Sequence, residues 1–343
     1  MLTIVYFILL LGILVFVHEL GHFATAKAFG IQVNEFGFGF PPRLLGLRWR
    51  GTLYSLNLVP LGGFVKMVGE EDPGHPRSLA GKPIFTRFIV LVAGSFMNGL
   101  LAVAIFTVFF MTPQETLVGQ VRIQQVTPDS PAARAGLKPG DTVLRVNGER
   151  VLNHAELARL IHLNLGSPME WVITRGSSPE FATYETVQLV PRWKPPQGEG
   201  ATGIFIATIN PRVVRVSYPI WKAVPLGAKE VGEVLVLGKN EVIRWIIGGS
   251  KPQVAGPIGI AQMTGEVAEA GLTPFIQFVA LLSINLAIIN VFPIPMLDGG
   301  RLLFLGIEWV RRGKRVPPKR EAMVHLMGLA LLLSLVIVIS YFD

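Results

Sequence analysis

Apolar positions along the chain gather into four long blocks separated by stretches of mixed character. The first runs from Leu2 to Val17, apolar except for Thr3 and Tyr6, and resumes through Phe23, Ala24 and Ala28. A helix from Leu2 to Lys27 would be about 39 Å long at 1.5 Å per residue, enough to cross a bilayer. Phe88 to Met111 forms the second block, Phe275 to Phe292 the third and Ala322 to Phe342 the fourth. Each is read as a transmembrane helix.

Between the first two blocks the period shortens. Glu35-Phe-Gly-Phe-Gly-Phe40 alternates phenylalanine with glutamate and glycine, and Tyr54, Leu56 and Leu58 share a face opposite Ser55 and Asn57. That alternation predicts strands, with turns at Pro41-Pro42 and Pro60-Leu-Gly-Gly63. The stretch is too apolar for a solvated loop, so it predicts a β-hairpin region dipping toward the membrane. Such backbone is tolerated only where protein or a water-filled cavity shields it. A polar Gly- and Pro-rich loop at 69–83 follows, with His75 read as solvated.

From Thr116 to Arg192 the composition becomes that of a soluble domain. Strands are expected at Gly119–Val126, Glu170–Thr174 and Glu185–Val190, a short helix at Ser130–Gly136 and a longer one at Ala155–Leu165. Lys138 to Gly148 supplies a turn, a strand and a hairpin signal. This order, with Ala-Gly-Leu-Lys-Pro-Gly-Asp ending at Asp141 and Val146-Asn-Gly-Glu149, resembles a PDZ domain, which is read either as a structural plug or as a groove beside a sheet edge that binds or excludes polypeptide. His154 and His162 fall within it and are given no metal role. A Pro- and Gly-rich connector follows at 193–217, with a strand at Gly203–Ile209. Residues 220–247 read as an amphipathic helix: Val224, Ala228, Val231, Leu235, Val242 and Ile246 share one face, with Lys222, Lys229, Glu233 and Arg244 on the other. It is expected to lie on the membrane surface or on the soluble domain. Gly256-Pro-Ile-Gly259 is read as a tight turn.

Composition agrees with membrane residence. Of 343 residues 50% are apolar and the mean hydropathy is +0.50, which excludes an ordinary soluble protein. The net charge of +8 is read as basic cytoplasmic loops rather than a nucleic-acid surface. The absence of cysteine excludes disulfides and thiolate metal sites. The N-terminal block lacks a basic leader and a small-residue cleavage site, so it is expected to stay on the chain. Between Arg311 and Arg320 a short loop carries six basic residues, which assigns it to the cytoplasm; both termini and the soluble domain are then outside. Residues 28–87 fall inside, in agreement with eight basic residues from Lys27 to Arg87.

Against this background the polar residues within the spans stand out. His18-Glu19-Leu20-Gly21-His22 is an H-E-x-x-H motif in the first span. On a helix His18 and His22 lie at i and i+4, able to reach one zinc ion, and Glu19 beside them can take a proton from the attacking water. Ionisable groups are costly in lipid and mark function. Catalytic zinc usually has three protein ligands and an open position. The third span runs into Asn290-Val-Phe-Pro-Ile-Pro-Met-Leu-Asp298-Gly-Gly300, where prolines and glycines break a helix as expected only beside a cavity. Asp298, the acid at that end, is the natural third ligand; its alternative role is a helix cap. Both metal motifs fall at cytoplasmic ends of their spans, so they can meet. Asn290 could hydrogen-bond an extended substrate. Ala93-Gly-Ser-Phe-Met-Asn98-Gly99 suits close helix packing, with Asn98 expected in a packing hydrogen bond or, as the alternative, facing the active site. His325 in the last span has no evident role.

His-Glu-Leu-Gly-His in the first span, a PDZ-like insert between spans two and three, and Asn-Val-Phe-Pro-Ile-Pro-Met-Leu-Asp-Gly-Gly together resemble the site-2 protease family of intramembrane zinc metalloproteases. Pro60-Leu-Gly-Gly-Phe-Val-Lys66 and Gly256-Pro-Ile-Gly-Ile-Ala261 match its bacterial regulator-of-sigma-E subgroup, and the likeness covers nearly the whole chain. It implies zinc on His18, His22 and Asp298, with Glu19 as general base. Asn290, Pro293 and Pro295, together with Gly62 and Gly63 of the β-region, are implied to hold unwound substrate. The implied substrates are single-span membrane proteins first trimmed by an upstream site-1-type protease, such as anti-sigma factors, and leftover signal peptides. The implied location is the bacterial inner membrane. Two departures are visible: there is room for one PDZ domain where better-known members carry two, and Ser95 replaces the proline of the family's A-G-P-x-x-N. A transporter with a structural metal would need repeated halves with broken helices, and no such repeat is seen. An inactive PDZ scaffold is opposed by the intact His/Glu/Asp set.

The expected fold is an α-helical polytopic membrane protein with four transmembrane helices, a membrane-associated β-hairpin region and an inserted α+β PDZ domain. Its expected divisions are a first span at 1–28, the β-region and loop at 29–83, and a second span at 84–112. The PDZ domain follows at 116–192, and the connector with its amphipathic helix at 193–271. A third span at 272–305, a basic loop at 306–321 and a last span at 322–343 complete the chain.

Overall fold

A computed structural model describes residues 2–70, 74–175, 183–252 and 255–342. Residues 71–73 of the expected loop and 176–182 of the expected PDZ segment thus lie outside the described residues. In chain order the elements are α1 (Leu2–Ala28), β1 (Val33–Trp49), β2 (Thr52–Met67), α2 (Ile84–Met111), β3 (Gln114–Val126), α3 (Pro131–Arg134), β4 (Thr142–Val146) and β5 (Glu149–Arg150). There follow α4 (His154–Leu163), β6 (Met169–Arg175), β7 (Thr183–Leu189), β8 (Ile204–Val216), α5 (Ile220–Ile246), α6 (Pro257–Glu269), α7 (Leu272–Val291), α8 (Asp298–Val310) and α9 (Pro318–Phe342). The chain divides into two compact units, Met1–Phe109 with Val254–Asp343, and Phe110–Gln253.

In the first unit α1, α2, α7 and α9 are long and apolar enough to cross a membrane, with mean hydropathy of 2.0 to 2.6. Leu331, Ile337 and Tyr341 of α9 are largely exposed. Such residues are stable on a surface only when hydrocarbon rather than water meets them. β1 and β2 form a more folded sheet than a plain hairpin. Phe36 lies opposite Val65 on one side and Tyr54 on the other, while the outer part of β1 pairs back from Arg43↔Asn57 to Trp49↔Thr52. The doubling turns on Pro60-Leu-Gly-Gly63, where Gly62 has a φ of 108°, open to glycine and to few other residues. Phe16 and Phe23 of α1 stack against Phe36 with ring centroids 5.3 and 4.6 Å away, which seats the sheet on the helix carrying the His/Glu motif.

Two elements depart from expectation in this unit. Gly256-Pro-Ile-Gly259 is no isolated turn but the start of α6: Gly256 is the N-cap and Pro257 the first helical residue, where a missing N–H costs nothing. Ile260 and Val267 of that helix pack on the buried Leu10, Leu14 and Phe278 of α1 and α7. The third span is also not continuous to 305. α7 ends at Val291, Phe292–Leu297 is non-helical, and α8 restarts at Asp298.

In the second unit a six-stranded sheet has the order β7-β6-β4-β3-β8, with β5 paired to β4. Its core is built on Val121, Ile123, Val143, Leu157, Trp171 and Ile173. Asn147 and Gly148, with φ of 51° and 80°, make the expected hairpin turn. β8 is longer than its apolar stretch suggests. It runs to Val216 and pairs with β3 from Val126↔Ile204 to Gln114↔Val216, so the segment expected as connector completes the sheet. α5 belongs here too. Arg159 of α4 reaches Glu230 and Glu233, each at 2.6 Å, and Asn240 donates to the carbonyls of His162 and Leu163. Of the two placements expected for the amphipathic helix, its contacts are those of docking on the domain.

Candidate metal centre

The H-E-x-x-H spacing places His18 and His22 one above the other on α1, both buried, with ring centroids 4.8 Å apart. The break after α7 brings Asp298 to meet them. Its Oδ2 lies 2.9 Å from His18 Nε2 and 3.0 Å from His22 Nε2, and the two Nε2 atoms are 3.2 Å apart. These separations are close to the edge of a tetrahedron whose metal–ligand bonds are about 2.0 Å, roughly 3.3 Å. Asp298 opens α8, with Leu297 at the cap position, so the acid has the position of a first-turn residue while its carboxylate turns to the histidines.

The surroundings prepare the donor atoms. His22 Nδ1 lies 2.7 Å from the Val90 carbonyl, which fixes its proton on Nδ1 and leaves the Nε2 lone pair toward Asp298 and His18. His18 Nδ1 lies 3.5 Å from the amide nitrogens of both Asn98 and Asn290. Asn98 is fully buried and its Oδ1 has no hydrogen-bond partner among the described residues. Turning that amide over lets Oδ1 accept from His18 Nδ1–H, and His18 Nε2 is then free for a metal as well. Asn98 thus faces the site, the alternative to its packing role, and its backbone carbonyl accepts from Ser283 Oγ. The donor set of two imidazole lone pairs and one carboxylate suits zinc.

Space for the site comes from Gly94. A Cβ there would lie 2.4 Å from His22 Nε2 and 2.6 Å from His18 Nε2. Sequence reasoning registered the small residues near position 94 as packing and missed that one of them faces His18 and His22. Glu19 is half-buried, and the backbone amide of Val65 in β2 faces its carboxylate. Gly63 lies beside it: an added Cβ would be 3.7 Å from Glu19 Cγ and 2.9 Å from the Gly37 carbonyl. Gly62 abuts Val15 of α1. The structure therefore brings His18, Glu19, His22, Asp298, Asn290, Gly62 and Gly63 into one neighbourhood. Pro293 is exposed on the link after α7, and Pro295 packs against Gly328 of α9.

The family description "Peptidase family M50" matches residues 6–335. The chain belongs to peptidase family M50. Zinc metalloprotease RasP of Geobacillus kaustophilus is 31% identical across 99% of this chain and 97% of its own length. A protein of Clostridium perfringens with a provisional zinc metalloprotease name is 34% identical, across 99% of this chain and 98% of its own length. One of a Nostoc species, named in the same way, is 36% identical across 96% and 92%. The M50 protein described here is a zinc metalloprotease of the site-2 type, and its four apolar helices make it a multi-pass membrane protein.

Proposed function

We propose that His18, His22 and Asp298 hold the zinc ion and that Glu19 is the general base of an intramembrane endopeptidase. The observation that carries this reading is the convergence of three donor atoms, all within 4.8 Å of one another, from two segments 276 residues apart in sequence. Bound there, zinc would polarise the scissile carbonyl and favour ionisation of the attacking water. Glu19 takes the proton of that water and returns it to the leaving amine nitrogen. A peptide bond within a transmembrane helix is protected by its own hydrogen bonds, so cleavage needs local unwinding. The backbone near Gly62 and Gly63 of β2, next to Glu19, offers strand pairing that re-satisfies the freed groups. Asn290 donates to the extended substrate, and the link containing Pro293 and Pro295 keeps helical backbone away from it.

The domain reading is part of the same proposal. The Phe110–Gln253 unit is a PDZ domain completed by β8: α4 flanks β8, with the His154 amide and imidazole bonded to Thr208 Oγ1 at 3.0 and 2.8 Å. β8 is the last strand of its sheet, which suits peptide addition. The enzyme acts in the bacterial inner membrane with its active site toward the cytoplasm, in keeping with the basic residues of 27–87 and 311–320. Its substrates are single-span proteins already trimmed by another protease, anti-sigma factors and signal-peptide remnants among them.

The direct test is metal content. Asp298→Ala, purified in detergent, should lose most of its zinc by elemental analysis and its cleavage of a transmembrane test peptide. Full zinc with lost activity would remove Asp298 from the metal shell. For substrates, cells carrying Glu19→Gln should accumulate trimmed membrane stubs; their absence would count against pre-trimmed substrates.

A further inference from the structure

Asp298 is carried by a segment that neither neighbouring helix can hold. Of Phe292–Leu297, Pro293 and Pro295 have no N–H. Phe292 N–H donates to the Ile289 carbonyl, Ile294 N–H to Phe292 and Leu297 N–H to Ile294, all local backbone bonds. Met296 is the exception. Its φ is 82°, a left-handed conformation unfavourable for a long side chain without a polar atom near the backbone. Its N–H leaves the segment and donates to His325 Nδ1 on α9, at 2.9 Å.

His325 is built into this position. The ring is buried, lies 5.5 Å from the Phe304 ring of α8, and its Nε2 faces Glu321 one helical turn back at 3.9 Å. Three residues on, along the same face of α9, Gly328 lets Pro295 approach so closely that a Cβ would fall 2.2 Å from the proline Cβ. α9 therefore clamps two consecutive residues: Pro295 by contact and Met296 by a hydrogen bond. An imidazole in a span is costly, and a leucine would fill the same volume. What leucine lacks is an acceptor for the Met296 amide, whose hydrogen bond goes to Nδ1 and not to a carbonyl of its own segment.

We propose that His325 is a positioning residue for the metal centre: as the acceptor for Met296 N–H it holds the left-handed turn that aims Asp298 at His18 and His22. This rests on the reading of Asp298 as a zinc ligand. The asymmetry of the imidazole gives a sharp test. Asparagine places its Oδ1 near the position of Nδ1, whereas glutamine places its oxygen one bond farther, near Nε2, and does not reach Met296.

The experiment measures zinc retention against a competing chelator in full-length detergent-solubilised protein. His325→Asn, His325→Gln, His325→Leu and Asp298→Ala are compared, with thermal unfolding as the check on folding. His325→Gln and His325→Leu should bind zinc about 10- to 100-fold more weakly, as expected for loss of an outer partner of a ligand, and His325→Asn should stay close to the unsubstituted protein. If all three His325 variants keep full affinity, the inference is wrong. If Asn fails as badly as Gln and Leu, the ring acts by packing and the acceptor role is wrong. Should Leu not fold, the Asn and Gln pair, both polar and close in size to His, decides alone. Unchanged affinity in Asp298→Ala would instead overturn the ligand assignment beneath it.

Discussion

At the scale of single residues the proposed roles are separate, with His18, His22 and Asp298 to hold metal and Glu19 to move protons. Glu19 shares no donor atom with the His18–His22–Asp298 cluster, so Glu19→Gln should keep its zinc while cleavage falls by about 10²- to 10⁴-fold, the usual contribution of a general base. Zinc analysis beside turnover of a transmembrane peptide reads both; near-normal turnover would remove Glu19 from the chemistry. Gly94→Ala should do the reverse. Its methyl group would occupy the space of both Nε2 atoms, so zinc should be lost although no ligand is changed. Metal content at wild-type level in that variant would show that α2 can yield. The motif residues were legible because their chemistry is local: His18 and His22 need only a helix to share a face. Gly94 was not, since His18 and His22, which it faces, come from another helix and nothing in Ala-Gly-Ser tells a packing glycine from one that leaves room beside two imidazoles.

At the scale of elements, the helix carrying Asp298 is tied to its neighbours by ion pairs, buried at Arg87–Glu308 and partly exposed at Arg315 and Arg301. Arg87 at the start of α2 donates to Glu308 of α8 at 2.5 Å, Arg315 donates to the same carboxylate at 3.2 Å, and Arg301 pairs with Glu70 at 2.7 Å. Arg315 also donates to the Ala80 carbonyl. Removing the acid strands Arg87, so Glu308→Gln should destabilise by about 3 kcal/mol at neutral pH. Burial pushes the Glu308 carboxyl up, but Arg87 and Arg315 outweigh it, and its pKa lies below the ordinary 4.5. A depressed folded pKa stabilises fully above the unfolded value and progressively less as pH falls through the folded one. The melting difference between wild type and Glu308→Gln should therefore be constant above pH 4.5 and shrink below it. A difference that grows on acidification would contradict the ion pair. Elements were legible where period and length agree, as in the four spans and the alternation of β1. They were misread where a signal has two meanings. Gly256-Pro257 is a turn signal and equally a helix start, and only packing on Leu10 and Leu14 decides for α6. The far half of β8, Pro211 to Val216, carries three valines but follows Asn210-Pro211, which reads as a turn, and only its pairing with β3 carries the strand past it.

At the scale of the whole molecule, two compact units with separate cores imply that they can be cut apart, and the structure shows where. Deleting only residues 116–192 would remove β3 and leave β8, its paired strand, with an open edge and α5 without α4. The sound excision runs from Gln114 to Ile246, replaced by a flexible Gly/Ser linker between α2 and the segment before α6. No proposed ligand or base lies in that stretch, so zinc content and cleavage of a short transmembrane peptide should be retained. Selectivity is what should change. If the second unit refuses substrates until they are trimmed, as its proposed PDZ character suggests, the excised enzyme should cleave full-length and trimmed versions of one substrate at similar rates, whereas the intact enzyme prefers the trimmed one. If the domain docks its substrates instead, excision should slow the trimmed form and leave the full-length form uncleaved. The assay compares both substrate forms with both enzymes, and zinc content confirms that the metal centre survives. Unchanged discrimination in an excised enzyme that retains its zinc would defeat the gate and the dock alike, and the second unit would then be a structural module.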